Sequence, residues 1–173
     1  MTRFDDHSAG ERSVDPGDAV LLLRAVQLAV DNAATGQLPF GALVARDGIV
    51  LATGVNSALR DHDPVAHAEV AAVRNACRSL GVLHVTGATI VSSCEPCAVC
   101  YAVAATAGVS RIIYAAPREY VPDLGYPAPA DNDDLLTSMQ DALRVIAAER
   151  VTYVPTDGAE EPFRRFLAGR GHR

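Results

Sequence analysis

The stretch CEPCAVC, residues 94–100, and the tripeptide HAE, residues 67–69, decide how this chain is interpreted. Together they supply one imidazole, three thiols and one carboxylate. Cys97 and Cys100 lie three residues apart at the start of a predicted helix, where they share a face and the helix dipole favours thiolate over thiol. Zinc prefers such ligands. The spacing therefore predicts a metal and a general base in one pocket.

His67 and Glu69 are only two residues apart, yet both can reach this pocket. In the first turns of a helix the side chains lean toward the N-terminus, so the two groups converge there. Two helix N-termini then face each other across the metal. Three protein ligands would leave one tetrahedral position open, which is typical of a catalytic zinc.

Cys94 offers an alternative. If its thiol were a fourth ligand, the site would be closed and the protein would be a structural zinc module or interaction domain. We expect the open arrangement, because a CxxCxxC run need not use all of its thiols.

Length and composition predict one domain. A chain of 173 residues with 49% hydrophobic residues can bury a core and is too short for two ordinary domains. We expect a flexible tail over residues 1–17, which lack apolar periodicity, and a single domain over residues 18–173. The tail lacks the apolar run of a signal peptide, and no stretch is long enough to span a membrane.

Charge and cysteine content limit which classes of partner and which cellular compartment we expect for this protein. A net charge of −6 disfavours nucleic acid as a partner, because phosphate backbones are normally held by a basic patch. The chain contains no lysine, which excludes Schiff-base catalysis and a P-loop lysine. Four cysteines without a secretory signal are typical of metal ligation rather than disulfides. We therefore predict a cytoplasmic protein.

Hydrophobic periodicity predicts alternating helices and strands. The predicted helices cover residues 18–35, 64–80, 97–106, 135–149 and 162–167. The predicted strands cover residues 42–46, 49–55, 88–93, 111–116 and 151–155.

The connections between these elements predict the topology. Asp47-Gly48 is a preferred hairpin turn, so the first two strands are antiparallel. Asp63-Pro64 is the expected start of the second helix. A strand, a helix and a strand over residues 88–116 imply a parallel pair. The long loop 117–133 is a candidate lid. We expect an α/β fold with a mixed five-stranded sheet and helices on both faces.

The HAE and PCxxC elements, with Pro96 before Cys97, resemble the zinc-dependent cytidine deaminase-like superfamily. The resemblance implies its three-layer α/β/α fold and Zn²⁺ held by His67, Cys97 and Cys100. It also implies that Glu69 is the catalytic residue, which moves protons between water, the ring and the departing ammonia.

Further segments are similar to bacterial guanine deaminases. They are LPFGALVARDG (38–48), GVN (54–56), HDPVAHAEVAAVRNAC (62–77), SSCEPCAVC (92–100) and, more faintly, PFRRF (162–166). The likeness covers about residues 20 to 115, and CEPC in place of LEPC favours guanine deaminases over tRNA adenosine deaminases. It implies a homodimer acting on a small nucleobase or nucleoside. It further implies that Asn56 binds the base and that Phe40 and the Ala68 backbone line the pocket.

The substrate-binding residues also have plainer explanations. An asparagine after a strand often turns the chain, so Asn56 is structurally ambiguous. Phe40, in a Pro-Phe-Gly turn, is as well suited to the core as to a pocket.

One departure leaves the substrate open. Guanine deaminases usually carry an acidic residue after a Gly-aromatic pair, whereas here Gly125-Tyr126 is followed by Pro127-Ala128. Asp123 and Asp131 are candidate substitutes for this second proton shuttle. A free purine base or nucleoside, guanine-type first, is the leading hypothesis. Cytosine, cytidine or another amino-heterocycle, and a tRNA adenosine, are the alternatives.

Overall fold

The computed structural model describes residues 15–126 and 133–170. One five-stranded sheet has the strand order β2-β1-β3-β4-β5. Its strands are β1 (Gly41–Arg46), β2 (Ile49–Val55), β3 (Thr89–Ser92), β4 (Arg111–Tyr114) and β5 (Val151–Tyr153). The helices are α1 (Pro16–Ala34), α2 (Ala58–Asp61), α3 (Ala68–Leu80), α4 (Ala98–Thr106), α5 (Asp133–Ile146) and α6 (Glu161–Arg170), and a 3₁₀ turn covers Arg118–Tyr120.

The sheet is mixed, as the sequence predicts. Strand β1 is antiparallel to both of its neighbours, β2 and β3. Strands β3, β4 and β5 are parallel. The hairpin between β1 and β2 turns at Asp47 and Gly48, whose φ values are 51° and 76°. Glycine adopts a positive φ without strain and aspartate tolerates it, which is why Asp-Gly is preferred in this kind of turn.

A hydrophobic core lies on each face of the sheet, between the strands and the helices that cover that face. Because successive side chains of a strand point to opposite faces, neighbouring residues enter different cores. Ala42 and Val44 of β1 enter the core that α3 and α4 cover. Leu43 and Ala45 enter the opposite core, which α1 and α6 cover. The predicted three-layer α/β/α arrangement is therefore confirmed.

The first helix begins slightly earlier than the sequence predicts. Helix α1 begins at Pro16, two residues before the predicted start, because Asp15 caps it: its Oδ1 accepts a hydrogen bond of 2.8 Å from the Gly17 N–H. A proline at the first helical position fits this cap. Residues 1–14 of the predicted tail lie outside the described residues.

The second long helix was predicted to begin at Pro64, and this was wrong. Helix α3 begins at Ala68, with His67 as its N-cap residue. The Asp63 Oδ1 accepts a hydrogen bond of 2.9 Å from the Val65 N–H, so this carboxylate closes a local turn instead of capping a helix. The later start places His67 at the tip of the helix. The other predicted elements lie within three residues of their observed bounds.

Within the described residues, no helix combines the length and the apolar character needed to cross a bilayer.

Gly54 sets how closely α3 approaches the sheet. A Cβ atom at this position would lie 2.3 Å from both the Ala68 carbonyl oxygen and the Ala72 backbone nitrogen. Both neighbours are backbone atoms of α3 and cannot rotate away. A glycine is therefore required where β2 passes beneath the start of this helix.

We expect Gly54→Ala to destabilise the protein by about 1–3 kcal/mol, because α3 must move away from the sheet. Gly169→Ala is the matched control, since a Cβ there meets no atom within 4 Å. Urea unfolding of both variants measures the difference. Equal stabilities would contradict the close packing of β2 against α3.

Candidate active site

The N-terminal ends of α3 and α4 meet on one side of the sheet. His67 is the N-cap residue of α3 and Cys97 is the N-cap residue of α4. Cys100 lies one turn into α4, and its side chain is buried. The predicted convergence of two helix N-termini is confirmed.

The three predicted ligands form a compact triangle. His67 Nδ1 lies 3.3 Å from Cys97 Sγ and 3.5 Å from Cys100 Sγ, and the two sulfurs are 3.6 Å apart. In a tetrahedral zinc site, ordinary bond lengths place two sulfurs about 3.8 Å apart and a sulfur and a nitrogen about 3.6 Å apart. Donor type and spacing both fit zinc.

One of the three candidate ligands loses its proton much more readily than the other two. The hydrogen bond with Cys100 lowers the pKa of the Cys97 thiol, and the hydrogen bond to His67 adds to this. The hydrogen bond with Cys97 raises the pKa of the Cys100 thiol and that of the His67 imidazole. Cys97 is therefore the thiolate that forms first, and a metal must displace protons from the other two groups.

Glu69 lies in the first turn of α3, beside the triangle and 6% exposed. Its Oε1 accepts a hydrogen bond of 2.8 Å from the Ser92 hydroxyl, and its Oε2 lies 3.3 Å from Cys100 Sγ. Burial raises the pKa of the Glu69 carboxyl, whereas the hydrogen bond from Ser92 lowers it. Burial is the larger influence, so the pKa of Glu69 lies above its usual value, as suits a group that both accepts and returns protons.

Cys94 lies away from the triangle. Its side chain is 4% exposed and belongs to the core beneath α1 and α6, on the opposite side of the sheet. Burial raises the pKa of its thiol, which disfavours the thiolate that zinc requires. This placement supports the open ligand set.

The predicted substrate-binding residues meet at the end of the first hairpin. The Asn56 backbone N–H donates a hydrogen bond of 3.1 Å to the Phe40 carbonyl. The Asn56 Oδ1 accepts a hydrogen bond of 3.1 Å from the Ala58 N–H, which leaves its amide nitrogen as the donor for a ligand. Ala68 is fully buried at the start of α3, next to His67. Their role in binding stays a prediction.

Phe40 is partly a core residue, which was the alternative to its predicted place in the substrate pocket. Its ring packs edge-on against Phe163 of α6, with the ring centroids 6.0 Å apart, and it contacts both cores. The aromatic pair links the first hairpin to the C-terminal helix.

Sequence reasoning missed Ser92 and Asn32. Ser92 has the same parity along β3 as Ile90, which packs beneath α3, and this alternation places its hydroxyl next to Glu69. The Asn32 amide donates hydrogen bonds of 2.8 Å to the carbonyls of Leu38 and Asn56. A polar residue on the buried stripe of α1 was the available signal for Asn32.

Of the two candidates for a second proton shuttle, Asp123 and Asp131, the structure describes only Asp123. The Asp123 Oδ1 accepts a hydrogen bond of 2.7 Å from the Gly125 N–H, so this carboxylate closes a turn. The Tyr126 ring lies under the Arg170 guanidinium, 5.1 Å from its centroid. Pro127, Ala128 and Asp131 lie outside the described residues.

Comparison with known proteins identifies the family. A sequence model described as "Cytidine and deoxycytidylate deaminase zinc-binding region" matches residues 18–116. The chain belongs to this family. The matched residues include all three members of the ligand triangle. The zinc-dependent hydrolytic deaminase activity that the resemblance of the HAE and PCxxC elements implies is confirmed.

The relatives differ in the substrate that their names state. Guanine deaminase of Bacillus subtilis is 39% identical over 107 residues, which cover 61% of this chain and 68% of that protein. A tRNA-specific adenosine deaminase of Buchnera aphidicola is 31% identical over 99 residues, which cover 57% of this chain and 61% of that protein. The solved structure of the B. subtilis guanine deaminase superimposes with a TM-score of 0.56 and 30% identity, covering 88% of this chain and 92% of that one.

We expect Ser92→Ala to move the acidic limb of the kcat/KM profile to higher pH by about one unit. The hydroxyl lowers the pKa of Glu69, so its loss raises that pKa and the base form appears only at higher pH. Initial rates measured across pH with the best substrate would show the shift.

Ser93→Ala is the matched control. Ser93 is as buried as Ser92 but accepts a hydrogen bond from the Gly41 N–H instead of donating to Glu69. Its acidic limb should stay in place. An unmoved limb in Ser92→Ala would contradict the role assigned to this hydroxyl.

Proposed function

We propose that this deaminase removes the exocyclic amine of a free purine base or nucleoside, with guanine as the first candidate, and releases ammonia. The similarity to guanine deaminase over 107 residues carries the choice of substrate class. His67, Cys97 and Cys100 would hold the zinc. When bound there, zinc supplies the Lewis acidity that makes water nucleophilic near neutral pH.

Glu69 would perform the proton transfers. It takes a proton from the attacking water and delivers it to a ring nitrogen, while a carbon–oxygen bond forms at the aminated carbon. It then assists protonation of the amine as the carbon–nitrogen bond breaks and ammonia leaves. The burial of its carboxylate beside the ligand triangle supports this role, because burial brings the pKa of a carboxyl closer to neutral.

Three groups would hold the base. The Asn56 amide nitrogen would donate to a carbonyl oxygen or ring nitrogen, because its Oδ1 is already used by the Ala58 N–H. Phe40 and the Ala68 backbone would line the pocket around the ring. A flat heterocycle with hydrogen-bond acceptors suits these groups.

Deamination of tRNA adenosine is the second candidate. It is supported by the adenosine deaminase relative and by a solved tRNA:A34 deaminase structure, which superimposes on 57% of this chain with a TM-score of 0.55 and 33% identity. The net charge of −6 disfavours it, because RNA binding draws on a basic surface. The cytoplasmic location and the homodimer remain predictions.

An ammonia-release screen over guanine, guanosine, cytosine, cytidine and adenine tests the proposal. We expect turnover of guanine or guanosine, and a loss of about 10²–10⁴-fold in Glu69→Gln, which removes the proton acceptor but no ligand. Glu149→Gln, an exposed carboxylate far along the chain, should keep full activity. Both variants should retain one zinc per chain.

A tRNA arm of the same screen separates the two candidates. Retention of tRNA that weakens steeply with salt, together with inosine formation and no ammonia from free bases, would overturn the proposal. Turnover of cytosine or cytidine alone would also overturn it.

A further inference from the structure

Helix α5 touches the loop that carries the candidate zinc ligand Cys97. The Arg144 guanidinium donates to both carboxylate oxygens of Glu95, through Nε and Nη2. The Gln140 amide nitrogen donates a hydrogen bond of 2.9 Å to the Pro96 carbonyl. The two residues immediately before Cys97 are therefore both held by side chains of one helix.

The Glu95 carboxylate is the centre of this contact. Its side chain is 2% exposed, and that of Arg144 is 37% exposed. The Arg118 backbone N–H donates to the same carboxylate at 3.3 Å, and the Glu95 N–H donates to the Ala116 carbonyl at 2.9 Å. A buried carboxylate depends on its partners, so the position of Glu95 is tied to Arg144.

Gln140 adds a second fixed point. It is 2% exposed, and within the described residues its Oε1 has no hydrogen-bond partner. A buried amide with one unsatisfied atom costs free energy, so packing alone does not explain its presence. Its donated bond holds Pro96, whose ring already restricts the backbone before the Cys97 cap.

Apolar packing holds only part of α5. Leu143 packs against the core beneath α3 and α4. In contrast, Leu135, Met139 and Ile146 are 59%, 45% and 79% exposed. The polar contacts to the Cys97 loop are therefore a large part of what joins this helix to the site.

We infer that Arg144 and Gln140 are positioning residues that fix Cys97 for metal binding. The inference rests on the proposed ligand role of Cys97. Contacts that hold a ligand's backbone in its bound position raise metal affinity, because less of the site has to be ordered when the metal binds. Helix α5 supplies that placement from far along the chain, since Gln140 and Arg144 lie 40 and 44 residues beyond the last candidate ligand, Cys100.

Zinc affinity and the absorption spectrum of the Co²⁺-loaded protein test this role, and both are measured separately from folding stability. Arg144→Met keeps the apolar stem and removes the charged fork. We expect its zinc affinity, from competition with a chromophoric chelator, to fall about 10–100-fold. We also expect the visible absorption of the Co²⁺-loaded protein to shift. Arg164→Met is the matched control. It removes an exposed arginine–glutamate pair on α6, which covers the other face of the sheet, and it should leave both readouts unchanged.

Gln140→Leu covers the case in which Arg144→Met fails to fold. It removes one hydrogen bond and an unpartnered oxygen without leaving a buried charge, so it should fold and show a smaller loss of zinc affinity in the same direction. Native zinc affinity and Co²⁺ spectrum in the folded variants would overturn the inference, even if their melting temperatures fell.

The wild-type chain distinguishes this failure from failure of the proposed function. Wild-type protein that binds no zinc would overturn the ligand assignment and the inference with it. Wild-type protein that binds one zinc, with variants that bind it equally well, would overturn only the positioning role.

Discussion

The meeting of two helix N-termini on one side of the sheet is the constraint on which the site depends. Helix α3 presents His67 and α4 presents Cys97 and Cys100, with all three ligand atoms within 4.8 Å of one another. Helix α3 reaches this position by packing closely on the sheet, which Gly54 permits. Both helix dipoles direct partial positive charge at the same point, which favours negative charge there, such as a thiolate at Cys97.

The position of the candidate catalytic carboxylate, Glu69, follows from the same packing. Glu69 belongs to the first turn of α3, so the approach that places His67 also buries its neighbour. Burial of a carboxyl is costly unless donors compensate, and Ser92 from the adjacent strand supplies one. One helix end therefore provides a candidate ligand and a candidate proton carrier, while Cys94 lies in the apolar core on the opposite side of the sheet.

Much of this could be predicted from the sequence, because motif spacing and strand periodicity are local signals. The HAE and PCxxC elements predicted the zinc-binding fold, and Asp47-Gly48 predicted the first hairpin. The predicted start of α3 was wrong because Asp63 can either cap a helix or close a turn. Only the surrounding structure decides which of the two it does. The partnership of Arg144 with Glu95 had no sequence signal, since the residues are 49 positions apart and belong to no shared motif.

An open zinc site with two sulfur ligands is the arrangement that the proposed chemistry requires. Zinc K-edge X-ray absorption on the metal-loaded protein tests it most directly, because sulfur and nitrogen or oxygen neighbours scatter at different distances. We expect two sulfurs at about 2.3 Å, with the remaining neighbours being nitrogen or oxygen at about 2.0 Å. Three sulfurs around the metal would mean that Cys94 joins the ligand set, and would contradict the open site.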